Sequence, residues 1–236
     1  MNRSLAVTIA FLLLIPTLTA QTAVSLLESG KAKHERGLFK DAIKDYTSAI
    51  QTDRNNADAF YFRGNAYFDL ESYDKAIEDY NEALKIKPEY RDALFNRANA
   101  WYEKSNYENA IADFSFSVRI DPDFADGWFG RGNSYYKAGK FAEALNDFTR
   151  GLELNKSNPD AFYDRGNTFY QLNDFQSAVN DYTKAIELQE GTFDYYFNRA
   201  LAWFSLQMDD KACSDLRKAQ QLGDSEARDY ARELCK

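Results

Sequence analysis

The chain has 236 residues and a formal net charge of −8, from 29 basic and 37 acidic residues. No cluster of Lys and Arg lies on any predicted helix, which argues against DNA, RNA and anionic lipid as partners. The single histidine excludes metal sites with two histidine ligands, and no motif predicts a cofactor or any other metal site.

Residues 1–20 have the layout of a secretory signal peptide. Arg3 precedes an apolar run from Leu5 to Ile15, and Pro16 leads into a short segment that ends at Ala20. The apolar run is shorter than the roughly 20 residues that span a bilayer, although an uncleaved anchor remains the alternative. We expect cleavage after Ala20, export to the periplasm or the cell exterior, and no integral membrane span in the mature chain.

From residue 23 to residue 226 the sequence repeats every 34 residues, in six copies without insertion or deletion: 23–56, 57–90, 91–124, 125–158, 159–192 and 193–226. One column is always alanine: Ala42, Ala76, Ala110, Ala144, Ala178 and Ala212. A second is large and apolar: Tyr46, Tyr80, Phe114, Phe148, Tyr182 and Leu216. A third, in the first half of each copy, is small: Gly30, Gly64, Ala98, Gly132, Gly166 and Ala200. Such a period is typical of stacked supersecondary units.

Each copy is predicted to contain two helices, which we call helix A and helix B. In the second copy, Phe60, Gly64 and Tyr67 share one helical face, and after a short break Ala76 and Tyr80 share another. A pair of helices this short cannot bury both of its faces alone, so each pair needs a neighbour. The sequence therefore predicts an all-α fold of stacked helix pairs.

The copies resemble tetratricopeptide repeats. The copy at residues 125–158 matches best, with Trp128, Gly132, Tyr135, Ala144 and Phe148 on the family's aromatic, glycine, tyrosine, alanine and phenylalanine positions. The resemblance implies a right-handed α-solenoid over residues 21–236, with antiparallel helix pairs and a capping helix at residues 225–236. It also implies that helices A line a concave surface.

On that surface, helix A of copies two to five carries an acid, a ring, an amide and a second ring along one stripe. The acids are Asp58, Asp92, Asp126 and Asp160. The rings and amides, which we predict to bind a peptide, are Tyr61, Asn65, Phe68, Phe95, Asn99, Tyr102, Phe129, Asn133, Tyr136, Tyr163, Asn167 and Tyr170.

The asparagines are the sharpest functional signal in the stripe, because Asn is unfavourable inside a helix. Their amides can donate to and accept from the backbone of an extended peptide, and the rings can bury it. The alternative is structural: each Asn bonds to the neighbouring repeat, the rings pack between helices, and the acids interact with the helix dipole.

Some tetratricopeptide domains capture a C-terminal carboxylate with Lys, Asn and Arg on this face. The matching places here are Tyr61, Asn65, Asn96, Asp126 and Gly130. Because no basic residue stands among them, we do not expect carboxylate capture.

A column of arginines on helix A is matched by a column of acids on helix B. The arginines are Arg63, Arg97, Arg131, Arg165 and Arg199, and the acids are Asp45, Asp79, Asp113, Asp147, Asp181 and Asp215. Copy one has Ser29 instead of arginine, so we predict that each Arg pairs with the Asp of the preceding copy, as Arg131 with Asp113.

The remaining chemically distinctive residues are two cysteines and the histidine. Cys213 and Cys235 flank a turn at residues 223–225, so antiparallel helices would bring them together as a disulfide worth about 3 kcal/mol. Two unrelated thiols are the alternative. His34, in the first copy, is predicted to be exposed at the end of the array.

We therefore expect an exported, non-enzymatic module that binds a neutral-to-basic peptide or polypeptide in its concave groove. Catalysis is not expected, because the ordered acids recur in every copy whereas an active site would be unique. The alternative function is a structural subunit or scaffold of a cell-envelope complex, with its surfaces packed against other subunits.

Overall fold

The computed structural model describes residues 22–235, which contain α-helices and no β-strand. The signal peptide predicted at residues 1–20 lies outside the described residues. Helix α1 covers 22–35. It is followed by α2 (Phe39–Thr52), α3 (Ala57–Asp69), α4 (Tyr73–Ile86), α5 (Arg91–Glu103), α6 (Tyr107–Ile120), α7 (Ala125–Lys137), α8 (Phe141–Leu154), α9 (Pro159–Gln171), α10 (Phe175–Leu188), α11 (Phe193–Ser205), α12 (Asp209–Gln221) and α13 (Ser225–Leu234).

The helices form tandem pairs, as predicted. The odd-numbered helices from α3 to α11 begin at the first residue of a predicted copy and are its helices A, while the even-numbered helices are its helices B. The chain divides into two compact units, with α1–α6 in unit 1 and α7–α13 in unit 2. Consecutive helices pack together from α2 to α6 and from α7 to α13, and the helix A pairs α3–α5, α7–α9 and α9–α11 also touch. The helices A of a unit thus form one continuous face.

A residue with a left-handed backbone lies in each turn from helix A to helix B. These residues are Gly37, Glu71, Ser105, Gly139, Asn173 and Gln207, with φ between 55° and 74°. In the second copy, the N–H of Ser72 then bonds to the Tyr67 carbonyl oxygen at 2.8 Å, which closes the end of helix A. The six turns are equivalent, so each helix B returns along its helix A at the same place.

The core of each pair is a helix B side chain packed against a small residue of helix A. The large apolar column of helix B, from Tyr46 to Leu216, is almost fully buried in every copy. A Cβ atom added to Gly64 would lie 2.7 Å from Cε1 of Tyr80, inside contact distance. The glycine column therefore permits the close approach of these rings.

The arginines of helix A pair with the aspartates of helix B in their own copy, so the predicted pairing with the preceding copy was wrong. Nε and Nη2 of Arg63 contact Oδ2 and Oδ1 of Asp79 at 2.8 and 2.7 Å. The other pairs are Arg97–Asp113, Arg131–Asp147, Arg165–Asp181 and Arg199–Asp215. Helix A and helix B of one copy face each other at this register, which brings the two columns within reach.

The link to the preceding copy uses a neutral acceptor. Nη1 of Arg63 donates to Oγ1 of Thr47 at 3.1 Å, and Nη1 of Arg97 donates to Oδ1 of Asn81 at 2.6 Å. In copy one, Asp45 instead accepts from Ser29 and Lys33.

The C-terminal end follows the sequence prediction. Gly223, with φ of 107°, ends α12, and the Asp224 carboxylate accepts the N–H of Glu226 at 2.8 Å to cap α13. Cys213 and Cys235 lie at disulfide-bonding distance, with Cα atoms 5.6 Å apart.

Candidate functional site

The helix A face of unit 1 carries a connected network of tyrosine and asparagine side chains. The Tyr80 hydroxyl donates to Oδ1 of Asn65 at 2.8 Å. Nδ2 of Asn96, from the next helix A, donates to the same oxygen at 2.9 Å and to the Tyr61 hydroxyl at 3.2 Å. The Asn65 oxygen is thus fully used inside the protein, in agreement with the structural interpretation of that residue.

Unit 2 repeats two bonds of this network three copies later, while Asn198 donates to the Asp194 carbonyl oxygen instead of to Asn167. The Tyr182 hydroxyl donates to Oδ1 of Asn167 at 2.8 Å, and Nδ2 of Asn198 donates to the Tyr163 hydroxyl at 2.9 Å. Sequence reasoning missed Asn96 as a link and did not consider Asn198. The equivalent positions of successive copies hold Phe62, Asn96, Gly130, Asp164 and Asn198. Because the residue type changes from copy to copy, the repeat pattern does not reveal a shared role for this position.

Two of the predicted groove aspartates accept hydrogen bonds from tyrosines. The Tyr195 hydroxyl donates to Asp160 at 2.6 Å, and its ring lies 5.1 Å from that of Tyr163. The Tyr90 hydroxyl interacts with the Asp58 carboxylate, and the Tyr90 ring lies 4.9 Å from that of Tyr61. Burial, and then the hydrogen bond to Asp58, raise the pKa of Tyr90. These acids position aromatic rings as well as contributing negative charge.

The outer rings of the predicted stripe stand at the turns between helices A and B. Each meets the ring that opens helix B edge to face, with centroids 5.2–5.6 Å apart: Phe68 with Tyr73, Tyr102 with Tyr107, Tyr136 with Phe141, and Tyr170 with Phe175. All four are half-buried, so one edge of each ring is accessible while the other packs.

Phe129 does not belong to the accessible surface. Its side chain is only 8% exposed and packs beside Phe148 in the core of unit 2. A Cβ atom at Gly151 would lie 2.2 Å from the Phe129 ring. Since Gly151 leaves a space on helix B, Phe129 turns inward to fill it, and its predicted role in peptide contact is wrong. Phe95, its counterpart in copy three, is half-buried and lies edge-on to Phe114 at 5.5 Å.

Asn99 and Asn133 differ from Asn65 and Asn167 because their copies carry phenylalanine in helix B, which offers no hydroxyl group. Asn99 makes no side-chain hydrogen bond in the described part of unit 1. Near Asn133, burial raises the pKa of the Asp164 carboxyl to about 6, and the interaction with the Asn133 side chain opposes this shift. Sequence reasoning did not single out Asp164, although an acid replaces Asn at its position.

His34 is not the exposed end residue that the sequence predicted. Its side chain is 19% exposed, and Nε2 lies 2.5 Å from Oδ2 of Asp69, the last residue of α3. The imidazole also meets Phe39 edge-on at 5.2 Å. His34 therefore joins α1 to α3 across the helix A face.

A cavity of about 310 Å³ lies beneath this contact, inside unit 1. It is lined by His34, Asn65, Phe68, Asp69, Tyr80, Asn96 and Asn99. Two of the predicted amides, Asn65 and Asn99, and the predicted ring of Phe68 thus line one cavity together with His34 and Asp69. A hollow of about 470 Å³ on the helix B side is lined by Arg97 and Asp113, but these two already satisfy each other.

Residues 22–235 hold no group of three or more His, Cys, Asp or Glu side chains that could bind a metal ion. No helix in that part of the chain has both the length and the apolar character needed to cross a bilayer.

Comparison with known proteins places these features in a family. A TPR repeat model matches residues 30–70, 64–105, 98–139 and 132–173, and a tetratricopeptide repeat model matches residues 159–191. No curated protein matches the chain.

Solved structures share the fold at low sequence identity. YrrB, described as a TPR protein with an unusual peptide-binding site, is 21% identical over 80% of this chain and 98% of its own, with a TM-score of 0.71. Pseudomonas aeruginosa pilF is 19% identical over 91% and 99%, with a TM-score of 0.77. MamA from Desulfovibrio magneticus RS-1 is 18% identical over 72% and 96%, with a TM-score of 0.69.

Proposed function

Because this chain belongs to the tetratricopeptide repeat family, we propose that it is an exported, non-enzymatic module that binds a peptide or polypeptide on the helix A faces of its units. The description of YrrB as peptide-binding agrees with this use of the fold.

The observation that carries the proposal is that the asparagines of the stripe differ in their hydrogen bonds within the protein. Asn65 and Asn167 are held by tyrosine hydroxyls, and they stabilise the packing of helices. Among the described residues, neither Asn99 in unit 1 nor Asn133 in unit 2 is held by a tyrosine hydroxyl, although Asn133 interacts with the Asp164 carboxylate. Each side chain is half-buried on the helix A face of its own unit. An amide in that position can pair with the N–H and C=O groups of an extended chain.

The charge on these faces favours a neutral-to-basic partner. Asp58, Asp126 and Asp160 are exposed near the start of their helices A, and Asp164 adds a carboxylate with no ion pair in the described part of unit 2. Acidic surfaces attract basic segments and raise their association rate.

Export is supported by the signal-like pattern of residues 1–20 and by the Cys213–Cys235 pair, since disulfides persist in oxidising compartments. Intact-mass measurement of the protein from its native host should give Gln21 as the N-terminus. Retention of Met1 or Asn2 would contradict export with cleavage.

The binding face is tested with Asn99→Ala combined with Asn133→Ala. We expect partner binding to weaken at least about tenfold, the loss of one or two hydrogen bonds. The melting temperature should change little, because the better helix propensity of alanine offsets the loss of the Asn133–Asp164 interaction. The partner is first identified by cross-linking in the native host and is then titrated against the native protein and the double variant.

Asn65→Ala is the matched control, since it removes the acceptor of Tyr80 and Asn96. It should lower the melting temperature. If the double variant melts normally and binds the partner at full strength, the helix A face is not the site. If the native protein instead forms concentration-dependent oligomers through that face, the alternative of a structural assembly subunit is favoured.

A further inference from the structure

We propose that the cavity in unit 1 binds an arginine side chain of the polypeptide partner. This inference rests on the proposed function and specifies one group that the partner presents. The cavity is formed by His34 from α1, by Asn65, Phe68 and Asp69 from α3, by Tyr80 from α4, and by Asn96 and Asn99 from α5.

Hydrogen-bonding groups remain available in the cavity after the internal network is formed. Asn96 uses its Nδ2 to reach Asn65 and Tyr61, which leaves its Oδ1 as an acceptor in the described part of the chain. Asp69 uses Oδ2 for His34 and keeps Oδ1. Asn99 keeps both its acceptor and its donor. Asp69, Asn96 and Asn99 all line the cavity, and each therefore has an acceptor that the internal network leaves available.

Three acceptors, one of which belongs to a carboxylate, suit a guanidinium group. Arginine carries five N–H donors in a planar fork and no acceptor, and it pairs with carboxylates in two-point geometry. The half-buried Phe68 ring offers a face for a cation–π contact. A carboxylate ligand would be repelled by Asp69, and a neutral amide would leave the charge of Asp69 without compensation by the ligand.

The corresponding place in unit 2 shows which residues make the cavity selective. Unit 2 has the equivalent Tyr182–Asn167 and Asn198–Tyr163 bonds, but Gln171, Tyr136 and Leu201 occupy the positions of Asp69, His34 and Asn99. The carboxylate and the unanchored amide are thus missing there. The arginine site is specific to unit 1, and Asn167 in unit 2 provides an internal reference.

The test uses the ¹⁵N-labelled mature chain and two small probes, N-acetyl-arginine methylamide and its neutral citrulline analogue. The side-chain NH₂ signals of Asn65, Asn96 and Asn99 report on the cavity, and that of Asn167 reports on unit 2. We expect saturable shifts of the cavity signals with the arginine probe, at least about tenfold weaker binding of the citrulline probe, and no shift of Asn167.

Asp69→Asn should abolish the preference for arginine over citrulline, whereas Glu78→Gln should preserve it. Glu78 is an exposed acid of the same unit on α4 and does not line the cavity. Equal affinity for the two probes, an arginine preference that survives in Asp69→Asn, or no response of the cavity signals would each overturn the proposal.

Failure of the arginine site can be distinguished from failure of the proposed function. Loss of partner binding in the Asn99→Ala, Asn133→Ala variant, combined with no response to the arginine probe, rejects the arginine site and keeps the peptide-binding face. A cavity that binds the arginine probe in a protein whose partner binding ignores both asparagines rejects the face as the partner's site.

Discussion

At the scale of single residues, the arginine column does more than form ion pairs. The Arg63 guanidinium, for example, gives two donors to Asp79 in its own copy and a third to Thr47 in the copy before. The Asp79 hydrogen bond raises the pKa of Arg63 against the opposing effect of burial. The charge is therefore retained while one side chain fixes two packing interfaces.

This geometry predicts strong coupling between Arg63 and Asp79. Asp79→Asn should lower the free energy of unfolding by about 3 kcal/mol, because it leaves a largely buried guanidinium without its counter-charge. Once Arg63→Met is present, the same change should cost much less. Urea unfolding of both single variants and the double variant measures the coupling energy.

Asp45 supplies the control for that cycle. It belongs to the preceding copy and is bound by Ser29 and Lys33. The effects of Asp45→Asn and Arg63→Met should therefore add to within about 0.5 kcal/mol. Coupling of Arg63 to Asp45 rather than to Asp79 would restore the pairing between copies.

Asp164 should make stability depend on pH. Burial raises the pKa of its carboxyl to about 6, and the hydrogen bond from Asn133 opposes the shift. Asp160 on the same helix also raises this pKa, and Lys137 on α7 lowers it. The folded state then holds a proton that the unfolded state has released, so stability falls as the pH rises from about 4 to about 6.

Asp164→Asn should remove that dependence and raise the free energy of unfolding at pH 7 by about 1–3 kcal/mol. Asparagine already occupies the equivalent positions 96 and 198, so the variant should fold. Urea titrations across pH 4–8 compare the two proteins. If the free energies of unfolding of the two proteins depend on pH in the same way, folding does not raise the pKa of Asp164.

At the scale of the helix pair, the size of the small residue in helix A matches the side chain that faces it from helix B. Every tyrosine of the helix B column faces a glycine: Tyr46 with Gly30, Tyr80 with Gly64, and Tyr182 with Gly166. Phe114 and Leu216 occur in copies with alanine at Ala98 and Ala200. In copies two and five the tyrosine hydroxyl is tied to Asn65 or Asn167, so the ring cannot withdraw to admit a methyl group.

Gly64→Ala should therefore destabilise the protein by about 1–2 kcal/mol, because overpacking outweighs the better helix propensity of alanine. The cost should shrink in a Tyr80→Phe background, where the ring is released from Asn65. Gly132→Ala is the milder comparison, since its Cβ would be 3.0 Å from Phe148. Thermal melts of the wild type and the four variants (Gly64→Ala, Tyr80→Phe, their combination and Gly132→Ala) decide this, and an equal cost of Gly64→Ala in both backgrounds would contradict it.

The sequence predicts the helix pairs well because burial is periodic, but it predicts local partners poorly. Arg131 was assigned to Asp113 because Ser29 in copy one suggested a missing preceding acid, whereas the helix register within a copy decides the contact. Four of the six left-handed turn residues, such as Glu71, are not glycine, so the turn has no sequence signature. Phe129 looked like its neighbours in the stripe, yet the space at Gly151 on another helix turned it inward.

At the scale of the whole molecule, the two units carry one structural network and different free groups. Tyr80 with Asn65 in unit 1 and Tyr182 with Asn167 in unit 2 make the same bond three copies apart. Two carboxylates on the helix A faces are not repeated three copies away: Gln171 occupies the position of Asp69, and Phe62 that of Asp164. Under the proposed function, the repeat supplies the scaffold and these departures from it would give the two units different selectivity.

The end of the array depends on its disulfide. Helix α13 contributes only Ala227 to the buried core, with Tyr230 edge-on to Phe197 at 5.4 Å. A ten-residue helix is too short to be stable alone, so the Cys213–Cys235 link, closing a separation of 22 residues, should hold it in place by about 3 kcal/mol.

Reduction should therefore open α13 before the rest of unit 2 unfolds. Hydrogen exchange of the α13 amides should accelerate by about two orders of magnitude, the kinetic equivalent of that free energy, while α10 amides exchange at unchanged rates. Cys213→Ala with Cys235→Ala should reproduce the effect without reductant, which separates the lost bond from other effects of the reagent. Unchanged α13 protection in the reduced protein would mean that packing on α12 alone holds the helix. In that case α12 and α13 would end the array equally well in a reducing compartment, and the cysteine pair would no longer support export.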